Sequence, residues 1–431
     1  MKLHVLAIAA LSLLISANAL AQTCTANLGT PDWIDLVKNC GAPVNTSTDS
    51  GPYIKAAFQA LDPVKGGTVY CPTGRYTIKS SVTVVSGSSA AIPGMRLLGD
   101  AGPSTDTSSL TQAHGCALIV SGLTGQTTGV LSFEGINTVT HGPTNNGPVI
   151  EYINLADSGG SAAGNTLLRI GNFNDWTVRN VSVFNAAVGL LVDGVASGDA
   201  SWGYVPQFVC MKTSTCLDSE RGGFVAVGGR YQPIGSPGII AKYPQARLIG
   251  IKMDCDGTDN NIGIDFSGHG DQVEASSFEG GCSAYVNIHN SGNGIINNDG
   301  GGNIVSGNRF YCLSFATCQA VQVGTGNTLK IAAANVIIGN HVQVPNSGTA
   351  MTIGSDAEGT VIAGNSYVLG TSAISVNDSG TATSRYEGGL PGLSGQAAPT
   401  GSCSTGTLYS NTSGSPFTLY LCISGGWQPV K

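Results

Sequence analysis

Lys252, Asp254, Glu279, Arg309, Tyr311, His341 and Gln343 have the side chains and the spacing that chemistry requires. They lie in four short copies of one pattern, Lys-Met-Asp, Ser-Phe-Glu, Arg-Phe-Tyr and His-Val-Gln, with an apolar residue between two others. If each copy is a strand, Met253, Phe278, Phe310 and Val342 point inward and their flanking residues face solvent, because successive side chains alternate. Parallel stacking at about 4.8 Å per strand then brings Asp254 beside Glu279. Two carboxylates that close hold different protonation states, as the acid and nucleophile, or acid and base, of glycosidic cleavage require. Lys252 or Arg309 would instead hold a substrate carboxylate or stand near a proton removed in β-elimination. Asp256, one outward position further on, is a reserve carboxylate. Tyr311, His341 and Gln343 would bind substrate. The opposing reading is a solvated sheet face with stacked ion pairs, and a one-residue slip would reverse the two faces.

The element that positions these residues is a repeat. Its clearest copies are Ile304-Val-Ser-Gly-Asn-Arg-Phe310, Val336-Ile-Ile-Gly-Asn-His-Val342 and Val361-Ile-Ala-Gly-Asn-Ser-Tyr367. Looser copies begin at Trp176, Arg247 and Gln272, so the unit recurs every 25 to 35 residues or so from residue 176 onward, as in a solenoid. A second apolar strand follows each copy, among them Gly189–Asp193, Ile262–Phe266 and Tyr285–Ile288. Such a unit buries its apolar side only by stacking on its neighbours. Asn308, Asn340 and Asn365 recur at one bend, where each can hydrogen-bond its copy in the next coil. A β-sandwich with Asn-Gly turns is the alternative. The in-phase repeats and the scarcity of two-residue hairpin signals speak against it.

Residues 41–78, GAPVNTSTDSGPYIKAAFQALDPVKGGTVYCPTGRYTI, resemble the N-terminal segment of the pectate-lyase-like superfamily. That segment has a Gly-Ala start, an Asp-rich turn (here Asp49 alone), a short helix and then G-G-T-V-x-x-P-x-G-x-Y. Met95–Asp100 is similar to the strand and glycine turn that follow. The resemblance implies an all-β fold, a right-handed parallel β-helix, capped by a helix near residues 51–61. Gly268-His269-Gly270 is similar to the Gly-His-Gly of polygalacturonases, but no Asn-Thr-Asp precedes it and no Arg-Ile-Lys follows. It reads as a turn histidine. The calcium-aspartate and Arg-Pro motifs of pectate lyases are not evident. Asp254, Asp256 and Asp259 do not form an EF-hand loop, so no cofactor is implied and calcium has no motif behind it.

Residues 194–245 read as a long irregular insertion, rich in Gly and Pro, that interrupts the repeat. Long ordered loops are usually functional. It is expected either to wall the groove, with Trp202 or Tyr204 stacking on sugar rings, or simply to cover the sheet. Trp202, Tyr204, Phe208 and Tyr231 are read as aromatics outside the core. Residues 388–402 have linker composition. Residues 403–431 look like a small β-hairpin module closed by Cys403 and Cys422 that caps the last coil.

Residues 1–21 have the layout of a secretory signal peptide, with Lys2, an apolar run over residues 4–16 and Ala19-Leu20-Ala21 before Gln22. The β-helix domain is expected over residues 22–387. All 12 cysteines follow the cleavage site. In an exported chain that points to disulfides, with Cys210/Cys216 and Cys312/Cys318 as close pairs. Secretion or a periplasmic location is expected, without membrane insertion. The net charge of −7 argues against nucleic acid, whose phosphates require a basic surface. The expectation is an exported carbohydrate-active protein, monomer or homotrimer, that cleaves a polysaccharide by hydrolysis or β-elimination. The alternative is a non-catalytic surface or matrix β-helix, an adhesin or glycan-binding stalk.

Overall fold

Short alternating runs of apolar and polar residues, closed by residues that accept left-handed backbone, build the molecule. The computed structural model describes residues 24, 32–62, 65–85, 94–101, 115–135, 147–194, 202–255, 261–290, 300–312, 318–324, 332–345, 348–386, 394–395, 408–411 and 418–429. The signal-like segment, Asp256, Asp259 and Cys403 lie outside them.

Three sheets run the length of the molecule. Sheet I has 13 strands, from Trp33–Asp35 to Ser384–Tyr386. Sheet II has 11, from Gly74–Ile78 to Ser366–Leu369, and sheet III has 11, from Val82–Val85 to Ile374–Asp378. Each complete coil gives one strand to each sheet, and sheet I has one further strand at either end. Arg247–Ile249, Lys252–Cys255 and Ile262–Phe266 make one coil; Gln272–Glu274, Ser277–Gly280 and Ala284–Ile288 make the next, paired in parallel with it. The architecture is a parallel β-helix, consistent with the right-handed winding expected from the sequence.

The core is the stack of inward columns. In sheet II, Val183, Cys210, Tyr231, Met253, Phe278, Phe310 and Val342 are aligned coil on coil and buried. The Phe278 and Phe310 rings stack at 4.6 Å. Burying each ring contributes about 1.5–3 kcal/mol.

Two polar ladders hold the bends at either end of sheet I. Between sheets I and II, Gly307, Gly339 and Gly364 have φ near 60°, a conformation that costs other residues roughly 1–2 kcal/mol. The buried asparagine that follows each one binds its copy: Asn308 Nδ2 donates to Asn340 Oδ1 at 3.0 Å, and Asn340 Nδ2 to Asn365 Oδ1 at 2.9 Å. A second ladder, not anticipated from the sequence, joins the coils between sheets III and I. There the Ala246, Asp271 and Asn303 N–H groups donate to Asp271 Oδ1, Asn303 Oδ1 and Asn335 Oδ1 at 2.8, 2.7 and 2.9 Å.

Helix α1, Gly51–Ala60, buries Ile54, Ala57 and Phe58, and the Phe58 ring meets Phe133 edge-on at 5.4 Å. Its start is fixed by Asp49, which accepts hydrogen bonds from the Gly51 and Lys79 N–H groups at 2.9 and 2.8 Å. Disulfides join Cys24–Cys40, Cys71–Cys116, Cys210–Cys216, Cys255–Cys282 and Cys312–Cys318. The last three pin the bend between sheets II and III. Cys422 is also disulfide-bonded.

The structure corrects several expectations. The repeat begins at Trp33 rather than residue 176. The stretch 194–245 is not an insertion: Gly203–Pro206, Val209–Thr213, Thr215–Ser219, Phe224–Val227, Arg230–Pro233 and Ile239–Ala241 are six strands of regular coils. Its aromatic content is partly core, since Phe208 and Tyr231 are fully buried. The C-terminal hairpin is a three-stranded antiparallel meander, Leu408–Asn411, Thr418–Ile423 and Gly426–Pro429, and the expected linker adds the two-residue strand Ser394–Gly395.

Candidate functional site on the outward sheet faces

Sheet II carries the residues expected from the sequence. Register pairs Arg230 with Lys252, Lys252 with Ser277, Ser277 with Arg309 and Arg309 with His341. The parallel outward column pairs Asp254 with Glu279, Glu279 with Tyr311 and Tyr311 with Gln343. Asp254 and Glu279 are therefore neighbours, but their charges are engaged. Arg230 Nε and Nη2 each lie 2.8 Å from Asp254 Oδ2. Lys252 Nζ lies 3.6 Å from Asp254 and 3.2 Å from Glu279. The arrangement is an ion-pair ladder across three coils. Trp202 and Tyr204 do not overhang it: Tyr204 belongs to sheet I, paired with Thr177 and Val225, and Trp202 immediately precedes that strand. Both side chains are exposed.

Sheet III carries a second cluster that sequence reasoning passed over. Its outward column runs Arg169, Leu191, Asp218, Ile240, Asp265 and Asn287 on successive coils. Beside it stand Asp193, Glu220, Lys242 and His289. Arg169 Nε donates to Asp193 Oδ2 at 3.0 Å, and its Nη1 is paired with Glu134. Lys242 is paired with Glu220.

Asp218 and Glu220 project from the same outward side of one coil, two residues apart. Burial first, then the Glu220 charge, push the Asp218 carboxyl up to about 7, against the pull of Lys242. Asp218 Oδ1 is buried without a hydrogen-bond partner among the described residues. The Asp218 carboxyl therefore retains its proton to higher pH than an ordinary carboxyl. Three coils on, His289 Nε2 lies 3.0 Å from Oδ1 of Asp265 on the coil before it, and its Nδ1 lies 3.0 Å from the Asn290 carbonyl. Burial works against the imidazolium, but the hydrogen bond and charge of Asp265 hold its pKa above the ordinary histidine value.

The signal for this cluster was present. Asp193 and Asp265 lie in second strands that the sequence reading recognises, at the outward positions of sheet III. Asp218 and Glu220 were hidden because their strand, Thr215–Ser219, lay within the supposed insertion. Among the described residues no group of His, Cys, Asp and Glu is arranged to hold a metal ion, and no helix is long and apolar enough to cross a membrane.

No family model matches the chain, and no curated protein sequence matches it. Solved structures do. DFA-IIIase from Arthrobacter chlorophenolicus A6, in complex with GF2, is 13% identical over 82% of this chain and 93% of its own, with a TM-score of 0.52. The Streptococcus pneumoniae surface protein and adhesin PfbA is 15% identical over 82% of this chain and 99% of its own, at 0.44. Geobacillus virus E2 ORF18 is 15% identical at 0.43, with 88% of this chain covered, and this chain spans only 63% of that one. DFA-IIIase and PfbA are parallel β-helix proteins. At 13% identity the likeness to DFA-IIIase is one of fold, and it agrees with the coil architecture described above.

Proposed function

We propose that this protein is an exported carbohydrate-active enzyme that cleaves a polysaccharide on the outward face of sheet III. The observation that carries the reading is the placement of Asp218 on the outward face, two residues from Glu220, with its Oδ1 buried and without a hydrogen-bond partner among the described residues; burial and the neighbouring carboxylate push its carboxyl up to about 7. An acid of that strength is matched to proton transfer near neutral pH. Asp218 gives its proton to the glycosidic oxygen as the bond to that oxygen breaks. In hydrolysis a water adds to the sugar carbon, and its proton passes to a carboxylate, either Glu220 or Asp193 on the preceding coil. In β-elimination the carboxylate takes a carbon-bound proton instead, and the leaving oxygen is protonated by Asp218 as before. Both routes use the same acid.

Export is supported by the signal-like start and by five disulfides among the described residues. On this reading α1 caps the first coil and the C-terminal meander is a separate small module. The fold shared with DFA-IIIase admits an enzyme, although fold alone does not assign one. A non-catalytic surface β-helix is the second reading. It is favoured by the mutual neutralisation of Arg230, Lys252, Asp254 and Glu279.

The test is incubation with neutral and uronic-acid polysaccharides, following reducing ends and the absorbance of unsaturated uronates. Reducing ends alone mean hydrolysis, and both signals together mean elimination. Either activity should collapse in Asp218→Asn. Activity that survives this change removes Asp218 from the reaction, and no cleavage of any polymer leaves the stalk reading.

A further inference from the structure

The cations of the outward column that runs from Arg230 to His341 on sheet II differ in their partners. Arg230 and Lys252 are consumed by Asp254 and Glu279. Arg309, in the same outward column and exposed, meets no carboxylate among the described residues. Its guanidinium lies over the Tyr311 ring, 4.2 Å from the centroid. A guanidinium held by its face keeps the N–H donors of its edge for a planar anion.

The neighbouring coil completes the patch. His341 stands beside Arg309 and Gln343 beside Tyr311. His341 Nδ1 is 2.9 Å from Ser366 Oγ, which orients the ring and leaves Nε2 for a ligand. Tyr311 is itself anchored, because its carbonyl accepts the buried Tyr285 hydroxyl at 2.7 Å. The patch therefore offers a fixed cation, an aromatic ring, an imidazole nitrogen and a carboxamide on two adjacent coils.

We propose that Arg309, Tyr311, His341 and Gln343 form a binding site on sheet II for an anionic glycan, a chain whose sugars bear carboxylate or sulfate groups. Arg309 pairs with the anionic group, the exposed part of the Tyr311 ring packs against a sugar face, and His341 and Gln343 meet hydroxyls. The nearest carboxylate in the adjoining column, Glu279, is held by Lys252 at 3.2 Å, so it does not oppose an anion in full. This site stands apart from the acid on sheet III and does not depend on it. The overall charge of −7 disfavours a polyanion at a distance. At about 0.15 M salt the Debye length is only about 8 Å, so local pairing decides.

The measurement is binding of the full chain to polygalacturonate, dextran sulfate and uncharged dextran by affinity electrophoresis in 0.15 M salt, a working concentration of about physiological ionic strength. The expected result is retardation by one or both anionic polymers and none by dextran; which anion retards tells carboxylate from sulfate. Arg309→Glu should weaken that binding at least about tenfold, or 1.4 kcal/mol. Arg309→Gln, which removes the charge without reversing it, should fall between the two, with the thermal unfolding midpoint unchanged. Asp218→Asn should bind as the parent does, whether or not it has lost cleavage, so the two sites fail independently. No binding to either polyanion, equal binding to dextran, or full binding by Arg309→Glu would each overturn the proposal.

Discussion

Lys252 stands between Asp254 and Glu279 on adjacent coils, with Nζ 3.6 Å from the first carboxylate and 3.2 Å from the second. With Arg230 also on Asp254, both carboxylates are engaged by cations of the same sheet, whereas Asp218 Oδ1 on sheet III has no hydrogen-bond partner among the described residues. Changing Asp254 to Asn and Glu279 to Gln together should therefore alter turnover by less than about threefold. Asp218→Asn should cost about 10²–10⁴, the usual size of a general-acid contribution. Initial rates of reducing-end formation measure both. A large loss in the double variant would return the chemistry to sheet II.

The Asp218–Glu220 pair fixes a pH dependence. Asp218 acts as an acid only while protonated, so activity should fall as pH rises through about 7. In Glu220→Gln the charge that helps hold the proton is gone, and this descending limb should move toward lower pH. A pH–rate profile of the variant that superimposes on that of the parent would sever Glu220 from the acid.

Asp271 is a carboxyl in a ladder whose next two rungs are Asn303 and Asn335. It is fully buried, and its Oδ2 has no hydrogen-bond partner among the described residues. Burial raises its pKa well above the ordinary carboxylate value, outweighing the N–H donors of Ala246, Gln245 and Gly268. The folded state therefore keeps a proton that the unfolded chain releases near pH 4. Stability from this group is present below that pH and declines as pH rises toward the folded pKa. Asp271→Asn supplies the amide permanently. Its advantage in urea midpoint over the parent should widen between pH 4.5 and 8. A constant difference would mean that Asp271 is ionised in the fold.

Asn340 is the central rung of the other ladder. It accepts the Asn308 N–H at 2.9 Å and donates to the Val305 carbonyl and to Asn365 Oδ1, both at 2.9 Å. Asn340→Ala leaves several buried groups unpaired, each worth about 1–3 kcal/mol. A loss of at least about 2 kcal/mol is expected in denaturant unfolding, against less than about 0.5 kcal/mol for an exposed change such as Ile338→Ala. Equal losses would show that the ladder contributes no more than a surface contact.

Much of this was legible in the chain itself. The period-2 alternation around Met253, Phe278, Phe310 and Val342 determined which side chains face inward, and the Gly-Asn pairs at 307–308, 339–340 and 364–365 marked a bend and its ladder. These are local properties: alternation follows from strand geometry, and left-handed backbone favours glycine. The coil through Thr215–Ser219 was not legible because its bends lack that Gly-Asn signature, so a regular coil read as an insertion. The second ladder escaped because its rungs are chemically mixed, Asp271 followed by two asparagines.

The solenoid, the register of sheet II and the adjacency of Asp254 and Glu279 follow from the order of residues alone. It took the folded molecule to show that Arg230 and Lys252 pair with them, while half-buried Asp218 stands beside Glu220 with its Oδ1 unpartnered among the described residues. The reason is physical. Alternation assigns a side chain to a face, whereas its charge state depends on burial and on all its neighbours, those two residues away on the same coil, as Glu220 is from Asp218, and those one coil away, as Lys242 is from Glu220, 22 residues distant in the chain.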